Sequence, residues 1–402
     1  MMKTRDLRIF ALLILLCLPW GGLLPINAQG NEAVPIKGEV EAMELEIEEG
    51  SLNLACKSAV LMEASTGTVL YRQNSDEALP PASVTKIMTL LLVMEAIDAG
   101  TVRLDDTVSV SANAASMGGS QVYLKEGERM TLEDLLKSVV IASANDAAVA
   151  LAEHIAGSVT AFVKKMNDRA AALGMTATCF ENVTGLDDTA EHHLTSAYDI
   201  ALMSRALVAH ETILQYSSIW MDSIRNGKFG LTNTNRLVRF YQGCTGLKTG
   251  STSKAGFCVS ATAERDGLSL ICVIMGADSR DARNAIATQL LDWGFASFGL
   301  YRTEAGTPEP ITVTGGACNT CPISYGAFSV VLPKSEVGSV EMRISLPERI
   351  AAPIRAGDTL GSVEFLSGGR VIGLIPIVAE SDVDRINFFQ ILVRMAARFT
   401  LI

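Results

Sequence analysis

Histidine is scarce in this sequence, and the few copies are scattered. No two of them have the i,i+4 spacing that places a pair of imidazoles on one helix face, and none lies in a motif resembling a Ser-His-Asp arrangement. A histidine metal site and a histidine-activated nucleophile therefore have little support. The four are His154, His192, His193 and His210 among 402 residues.

Paired cysteine motifs are also lacking. The chain has eight cysteines, and Cys318 and Cys321 form a lone C-x-x-C. Zinc usually needs two such pairs or added histidines, so we expect a local disulfide or two free thiols there rather than a metal. Cys258 and Cys272 lie in apolar runs and are interpreted as small core residues. We expect no metal and no cofactor.

An excess of positive charge is absent as well. The formal net charge is −11, which argues against broad electrostatic attraction to nucleic acid. The composition, 49% hydrophobic and 19% charged, is that of a globular protein, and the length suits two domains.

The N-terminus has the pattern of an export signal over residues 1–28. Lys3, Arg5 and Arg8 precede a short apolar run, and a weak cleavage site follows Ala28. The alternative is an uncleaved anchor helix, although the run is short for a membrane span. Both interpretations put the body of the protein outside the cytoplasmic membrane. Residues 29–51, which carry a run of glutamates, are predicted to be a linker.

Residues 52–300 are predicted to form one α+β domain. Residues 59–73 and 256–278 read as hairpins, the second turning at Asp266-Gly267. Residues 87–100 are apolar all round and end in glycine, which indicates a buried helix. A mostly helical stretch follows from 131 to about 209, and residues 279–298 have helical periodicity. This order suggests an antiparallel sheet flanked by helices.

The remaining chain divides into two parts. Residues 306–380 are short strand-like runs broken by Gly, Pro and Asp, which predicts a small all-β domain. Residues 384–402 form a predicted amphipathic helix suited to a membrane interface. The alternative is a helix docked on the protein's own surface. The predicted apolar face consists of Phe388, Ile391, Leu392, Met395, Phe399 and Ile402, opposite Gln390, Arg394 and Arg398.

Three short motifs occur in order, and each is weak alone. They are Ser83-Val84-Thr85-Lys86, Ser143-Ala144-Asn145 and Lys248-Thr249-Gly250. In isolation Ser83 reads as a helix cap, Ser143 and Asn145 as loop caps and Lys248 as a surface lysine. Their joint occurrence, each in a suitable local context, favours a catalytic site.

Ser83 and Lys86 are three residues apart at a helix start, so their side chains share a face. Burial and the positive potential of the helix N-terminus both tend to lower a lysine pKa. A neutral lysine can take the proton of a serine and make it a nucleophile.

The other two motifs are expected on the opposite wall of a cleft. Ser143 and Asn145 lie between two predicted helices and can present a hydroxyl and an amide. The Lys248-Thr249-Gly250 segment should open a strand, where glycine lets a substrate backbone lie close. The backbone N–H groups of Ser83 and Ser251 are the predicted oxyanion donors.

With these motifs in place, the chain resembles the low-molecular-mass penicillin-binding proteins that act as serine D-alanyl-D-alanine carboxypeptidases. The likeness extends from the signal through the β-rich domain to the terminal helix. Supporting stretches at residues 182–188, 194–205, 233–237 and 290–295 are similar to the family's pattern in the expected order. This resemblance implies a penicillin-recognising, transpeptidase-like catalytic domain.

The resemblance implies roles for the motif residues. Ser83 would be acylated and Lys86 would be its base, while Ser143 would relay protons and Asn145 would hold the substrate's peptide. Lys248, Thr249, Gly250, Ser251 and an arginine would form the side that receives the substrate's terminal carboxylate. Arg283 is the arginine candidate, ahead of Arg280.

The implied substrate is the stem pentapeptide of peptidoglycan, with β-lactam antibiotics as acylating mimics. The enzyme would work at the outer face of the cytoplasmic membrane, held by its C-terminal helix. Ser251 departs from relatives that often carry a larger residue there. A β-lactamase is one alternative, although residues 181–188 do not resemble its glutamate-bearing loop. A catalytically silent sensor of β-lactams or peptidoglycan is another, and endopeptidase action is a third.

Overall fold

The computed structural model describes residues 52–188 and 190–399. The predicted export signal and acidic linker lie outside the described residues. Ten helices are described: α1 Lys86–Asp98, α2 Ala112–Ala115, α3 Leu132–Ala142, α4 Asn145–Ala156, α5 Val159–Ala172, α6 Ala197–Val208, α7 Glu211–Ser217, α8 Leu237–Phe240, α9 Arg280–Ser297 and α10 Phe388–Phe399.

Ten of the described strands begin before residue 300. Nine of them form the central sheet and two small pairs, and the tenth pairs with a later strand. They are β1 Ser58–Glu63, β2 Val69–Gln73, β3 Thr107–Ser109, β4 Arg129–Thr131, β5 Met221–Ile224, β6 Phe229–Thr232, β7 Cys244–Thr252, β8 Gly256–Arg265, β9 Leu268–Ala277 and β10 Phe298–Thr303. The remaining strands are β11 Ile311–Thr314, β12 Thr320–Cys321, β13 Ile323–Tyr325, β14 Phe328–Pro333, β15 Glu341–Ser345, β16 Arg349–Ala351, β17 Thr359–Ser367 and β18 Arg370–Ala379.

The central sheet is antiparallel throughout and has the strand order β2-β1-β9-β8-β7. Both predicted hairpins are present, and Asp266 and Gly267 turn the second with positive φ angles of 51° and 77°. Two-residue turns of this hand match the twist of the flanking strands. The prediction of an antiparallel sheet with flanking helices is confirmed.

Helices cover both faces of this sheet, which explains why its inner strands are apolar without interruption. Alternate residues of β1 point into different cores: Val60 and Met62 into one, Ala59 and Leu61 into the other. The first core includes α1, α3, α4 and α6, and the second includes α9. Strand β7, which contains the predicted Lys248-Thr249-Gly250 segment, forms one edge of the sheet, beside the start of α1.

The chain after residue 303 is built from short sheets, as the sequence predicted. Strands β13, β18, β17 and β15 form one sheet, and β12, β11 and β16 form another. Their apolar side chains make a third core from Ile311 to Val383. Strand β14 pairs with β10, and its Val331 packs into the second core. We propose a domain boundary between residues 300 and 306.

Within the described part of the chain, no single helix is long and apolar enough to cross a membrane. The bent pair α4 and α5 meets that test by length and composition alone. Helix α10 is shorter, and its Phe388, Phe389 and Val393 are exposed. Its Arg394 is half-buried and donates to the carbonyl of Ala317. Ile402 and the side chains of Arg398 and Phe399 lie outside the described residues.

The proposed boundary predicts that the β-rich part can be destabilised by itself. Phe365 is fully buried and stacks on Phe328 with ring centroids 4.1 Å apart, so Phe365→Ala should cost about 3–5 kcal/mol. Hydrogen exchange followed by mass spectrometry should show lost protection in peptides from residues 307–385 and unchanged protection in β8 and β9.

Met342→Ala is the matched control, because Met342 lies on the neighbouring part of the same sheet but is 43% exposed. We expect an effect within about 0.5 kcal/mol. Equal loss of protection in β8 and β9 of the Phe365→Ala variant would contradict the boundary.

Candidate active site

Ser83 and Lys86 meet at a tight turn that leads into helix α1. Ser83 lies in a 3₁₀ turn, Ala82–Thr85, rather than in the first α-helical turn, which corrects the sequence-based expectation. The preceding Ala82 has a φ of 47°, a conformation that costs a non-glycine residue about 1–3 kcal/mol and that clusters at functional sites. The turn places Lys86 Nζ 2.9 Å from Ser83 Oγ.

Lys86 is completely buried, whereas Ser83 reaches the cleft and is half-buried. The amine also lies 2.9 Å from the carbonyl oxygen of Thr184. Burial holds the pKa of Lys86 well below its usual value, and the positive charge of Lys248 lowers it further against an opposing effect of Asp146. The amine can therefore exist in the neutral form that accepts a proton.

Strand β7 forms the opposite side of the serine turn. The predicted Lys248-Thr249-Gly250 segment lies in the middle of this strand rather than at its start. Lys248 is buried, and its Nζ donates to the Thr249 carbonyl oxygen at 3.0 Å. Burial, with the charge of Arg283 as the second cause, lowers the pKa of Lys248 to about 7.

Gly250 explains why the strand can approach the serine turn. A Cβ atom at this position would lie 2.8 Å from the backbone nitrogen of Ser83 and 2.9 Å from that of Val84. Any larger residue would fill the space in front of the Ser83 N–H. The close approach leaves that N–H and the next residue of the strand, Ser251, beside the same part of the cleft.

Ser143 and Asn145 come from the junction of α3 and α4. Ser143 ends α3 with a φ of 61°, in the left-handed region, and Asn145 begins α4. The Asn145 Nδ2 group donates to the Gly118 carbonyl oxygen at 2.7 Å. Its buried Oδ1 has no hydrogen-bond partner among the described residues. A buried amide oxygen left unpaired is an acceptor available to a substrate N–H.

Arg283 projects from the first turn of α9, where Ser279 caps the helix. It is only 3% exposed and lies against the carbonyl of Cys258, the strand partner of Gly250. Burial, followed by the charge of neighbouring Arg280, lowers the pKa of Arg283 to about 10. Arg280 is exposed on the same helix. Both arginines line the cleft, so the structure retains both candidates.

One cavity of about 690 Å³ joins these groups. Among the predicted residues, Ser83, Ser143, Thr249, Gly250, Ser251 and Arg283 line it. Lys86, Asn145 and Lys248 are buried immediately behind this lining. The structure therefore brings all nine predicted site residues together from separate parts of the sequence.

From the sequence alone, residues 182–188 are predicted only as a stretch similar to the family's pattern, and no role in closing the back of the site is assigned to them. Asn182 Oδ1 accepts from the N–H of Gly185 at 2.7 Å, which fixes the turn that points the Thr184 carbonyl at Lys86. Gly185 has a φ of 81°, and a Cβ there would overlap the Ala82 carbonyl. The Asn-Val-Thr-Gly stretch contains turn-forming residues, but nothing in it indicates a lysine as its neighbour.

Within residues 52–188 and 190–399, no group of three or more His, Cys, Asp or Glu side chains is arranged to hold a metal ion. Cys318 and Cys321 are free thiols, the second of them buried. Cys258 and Cys272 are buried in the cores, as predicted.

The sequence matches the D-alanyl-D-alanine carboxypeptidase family over residues 45–279. Residues 307–385 match the C-terminal domain of penicillin-binding protein 5. The chain is 42% identical over 352 residues to D-alanyl-D-alanine carboxypeptidase DacF of Bacillus subtilis, covering 86% of this chain and 90% of that protein.

Solved structures are similar over the same span. Penicillin-binding protein 5 from Haemophilus influenzae superposes with a TM-score of 0.73 at 30% identity, covering 83% of this chain and 98% of that one. Penicillin-binding protein D2 from Listeria monocytogenes in its ampicillin-bound form gives a TM-score of 0.56 at 32% identity, covering 61% and 99%.

Proposed function

We propose that the substrate acylates Ser83 in this chain. The chain belongs to the D-alanyl-D-alanine carboxypeptidase family and is a serine-type D-Ala-D-Ala carboxypeptidase. The observation that carries the assignment is the 2.9 Å contact between Ser83 Oγ and the buried amine of Lys86. A serine hydroxyl needs such a base to become a nucleophile near neutral pH.

In the proposed reaction, Ser83 Oγ attacks the carbonyl carbon of the penultimate D-alanine while neutral Lys86 takes its proton. The backbone N–H groups of Ser83 and Ser251 stabilise the oxyanion. The C–N bond then breaks, and the departing D-alanine amine receives a proton relayed through Ser143. Water hydrolyses the Ser83 ester, which yields the shortened peptide acid and restores the serine hydroxyl.

Asn145, Lys248 and Arg283 are proposed to orient the substrate. The unpaired Oδ1 of Asn145 is proposed to accept a peptide N–H of the stem, which supplies its missing hydrogen bond. Thr249, Lys248 and Arg283 are proposed to receive the terminal carboxylate, because charged and hydroxyl donors bind that group strongly. Recognition of a free carboxylate is what distinguishes a carboxypeptidase from a general peptidase.

β-Lactams are proposed to acylate Ser83 in the same geometry, as the ampicillin-bound relative suggests for this fold. Rapid release of the drug needs a second base to activate water. No aspartate or glutamate is among the described residues that line the cleft. We therefore expect a slowly deacylating complex, which disfavours the β-lactamase alternative. The silent-sensor alternative lacks support because the acyl-transfer groups are all assembled.

Ser83→Ala should abolish both D-alanine release and covalent labelling by benzylpenicillin, because the acylated oxygen is removed. The measurement is intact mass after incubation with benzylpenicillin, followed by peptide mapping. Ser339→Ala, a change in the β-rich part, is the control and should retain one adduct per chain. An adduct on the Ser83→Ala variant would refute the assignment.

Activity should depend on pH through both lysines. The rate should rise as Lys86 loses its proton, since only the neutral amine is a base. It should fall as pH passes the pKa of Lys248, about 7 in the free enzyme, because the carboxylate then loses a charged partner. Arg283→Gln removes a repelling charge, so the pKa of Lys248 rises and the alkaline limb of kcat/KM moves to higher pH.

Arg283→Gln should also raise KM by about tenfold, because the change removes a charged donor to the substrate's carboxylate. Arg349→Gln, an exposed change in the β-rich part, is the control and should keep the parent KM and the parent alkaline limb. An alkaline limb at the same pH in Arg283→Gln and in the parent enzyme would contradict the proposed coupling.

We further propose that the protein is exported and is held at the outer face of the cytoplasmic membrane by helix α10. The support is the exposure of Phe388, Leu392 and Met395 of the predicted apolar face, at 47–68%, while Arg394 turns toward the β-rich part. An exposed apolar face on a helix too short to span suits a membrane interface. The β-rich domain would then separate the cleft from the membrane.

The double change Leu392→Glu and Met395→Glu should release the chain beginning at residue 29 from phosphatidylglycerol–phosphatidylethanolamine vesicles, because it places two charges on the predicted apolar face, where both side chains are exposed. Co-sedimentation measures the effect, and Met342→Glu in the β-rich part is the control. Unchanged sedimentation of the double variant would refute the interface helix.

A further inference from the structure

We propose that His193 is a positioning residue, which holds the serine turn in the geometry that brings Ser83 Oγ to the amine of Lys86. It acts through Thr85, which lies between the two on that turn. This inference rests on the proposed function, because it names a further residue on which the acylation of Ser83 depends. His193 itself lies outside the cleft and touches no reacting atom.

Each ring nitrogen of His193 has a hydrogen-bond partner. Nδ1 lies 3.0 Å from the backbone nitrogen of Glu181, whose N–H can only donate, so Nδ1 is the acceptor. The neutral ring then carries its hydrogen on Nε2, which donates to Thr85 Oγ1 at 2.7 Å. The two bonds therefore hold the imidazole in one tautomer and one orientation.

The ring stays neutral because it is buried. His193 is only 3% exposed, and it packs against the Phe180 ring with centroids 5.7 Å apart. Burial lowers the pKa of His193 to about 4, against the opposing charges of Glu181 and Asp187. The donor on Nε2 and the acceptor on Nδ1 are thus both retained near neutral pH, where the proposed reaction takes place.

The backbone next to the imidazole is fixed on both sides. Leu194 and Cys179 exchange two N–H to carbonyl bonds, at 3.1 and 2.9 Å. Thr195 and Leu79 do the same at 3.0 and 2.8 Å, just before the chain enters the serine turn. The histidine is therefore carried by a well-anchored segment rather than by a free loop, so its side chain can constrain the turn that it contacts.

Thr85 is the point at which this bond acts on the catalytic pair. It ends the 3₁₀ turn that contains Ser83, it directly precedes Lys86, and it is completely buried. The turn is strained at Ala82, whose φ is 47°, and such a conformation persists only where the surrounding contacts determine it. The bond from His193 is a contact of this kind, made inside the turn itself.

Helix α1 has other contacts with the segment behind it, so loss of the imidazole should loosen the turn without unfolding the site. Thr89, one helical turn beyond Thr85, donates from Oγ1 to the Val183 carbonyl oxygen at 2.8 Å. We therefore expect slower attack by Ser83 rather than loss of the fold. A misplacement of about 1 Å can slow a reaction by about 10²-fold.

The test compares two substitutions that each keep one of the two ring contacts. His193→Gln keeps a nitrogen donor near the Nε2 position, whereas His193→Asn keeps an acceptor near the Nδ1 position and does not reach Thr85. Intact mass, followed over time at several benzylpenicillin concentrations, measures the limiting rate of adduct formation and the half-saturating concentration separately.

His193→Asn should lower the limiting rate by between about tenfold and a hundredfold, because Ser83 Oγ is no longer held at the amine of Lys86. His193→Gln should lower it by less than about threefold. The half-saturating concentration should stay within about twofold of the parent value in both variants, since the groups that bind the drug are unchanged.

Thr85→Val removes the other end of the same bond, and Thr85→Ser keeps the hydroxyl. Thr85→Val should reproduce the limiting rate of His193→Asn, and the double variant should be no slower than the slower single one, because one interaction is lost only once. Thr85→Ser should stay within about threefold of the parent rate. The two Thr85 variants provide the same comparison should His193→Asn fail to fold.

His210→Asn is the matched control, because His210 Nδ1 contacts Asp98 at the opposite end of α1. It should keep the parent rate of adduct formation. A parent rate in His193→Asn, a His193→Gln variant as slow as His193→Asn, or additive effects of Thr85→Val and His193→Asn would overturn the positioning role. A parent enzyme that forms no adduct on Ser83 would instead overturn the proposed function, and this inference with it.

Discussion

Everything in the cleft depends on keeping the amine of Lys86 out of water. A solvated lysine is protonated at neutral pH and cannot take a proton from Ser83. The fold excludes water from it with the apolar residues of α1, the segment that carries Thr184, and strand β7. The amine retains two polar contacts, to Ser83 and to the Thr184 carbonyl, so it is desolvated without being left unpaired.

This requirement explains why distant parts of the sequence meet at one point. The turn that enters α1 supplies the serine, α1 itself supplies the lysine, the α3–α4 junction supplies Asn145, and β7 supplies the second lysine. The close contacts are made by residues that allow backbones to approach: Gly250 against the serine turn and Gly185 against Ala82. A side chain at either position would open the site to water and restore the charge of Lys86.

Local patterns were sufficient to predict much of this arrangement. The hairpins, the buried helix and the β-rich tail follow from periodicity and turn residues, and the three motifs with the family resemblance indicated the nine site residues. What could not be predicted depends on contacts between distant segments. Nothing near Asn182 in the sequence shows that the Thr184 carbonyl faces Lys86. Nothing around Phe240 in the sequence shows that it lies beside Trp220, because the two rings come from separate segments that meet only in the folded chain.

The two lysines also link recognition of the substrate to its attack. The charge of Lys248 lowers the pKa of Lys86, and the charge of Arg283 lowers that of Lys248. A bound carboxylate offsets the positive charge of Lys248 and Arg283, so the pKa of Lys86 rises: the amine becomes a stronger base, while a smaller fraction of it is neutral. Burial is the larger cause of the low pKa of Lys86 and is unchanged by the carboxylate, so the amine stays available as a base in the complex. Binding of the substrate's terminus and proton transfer from Ser83 are therefore coupled through the charge of Lys248.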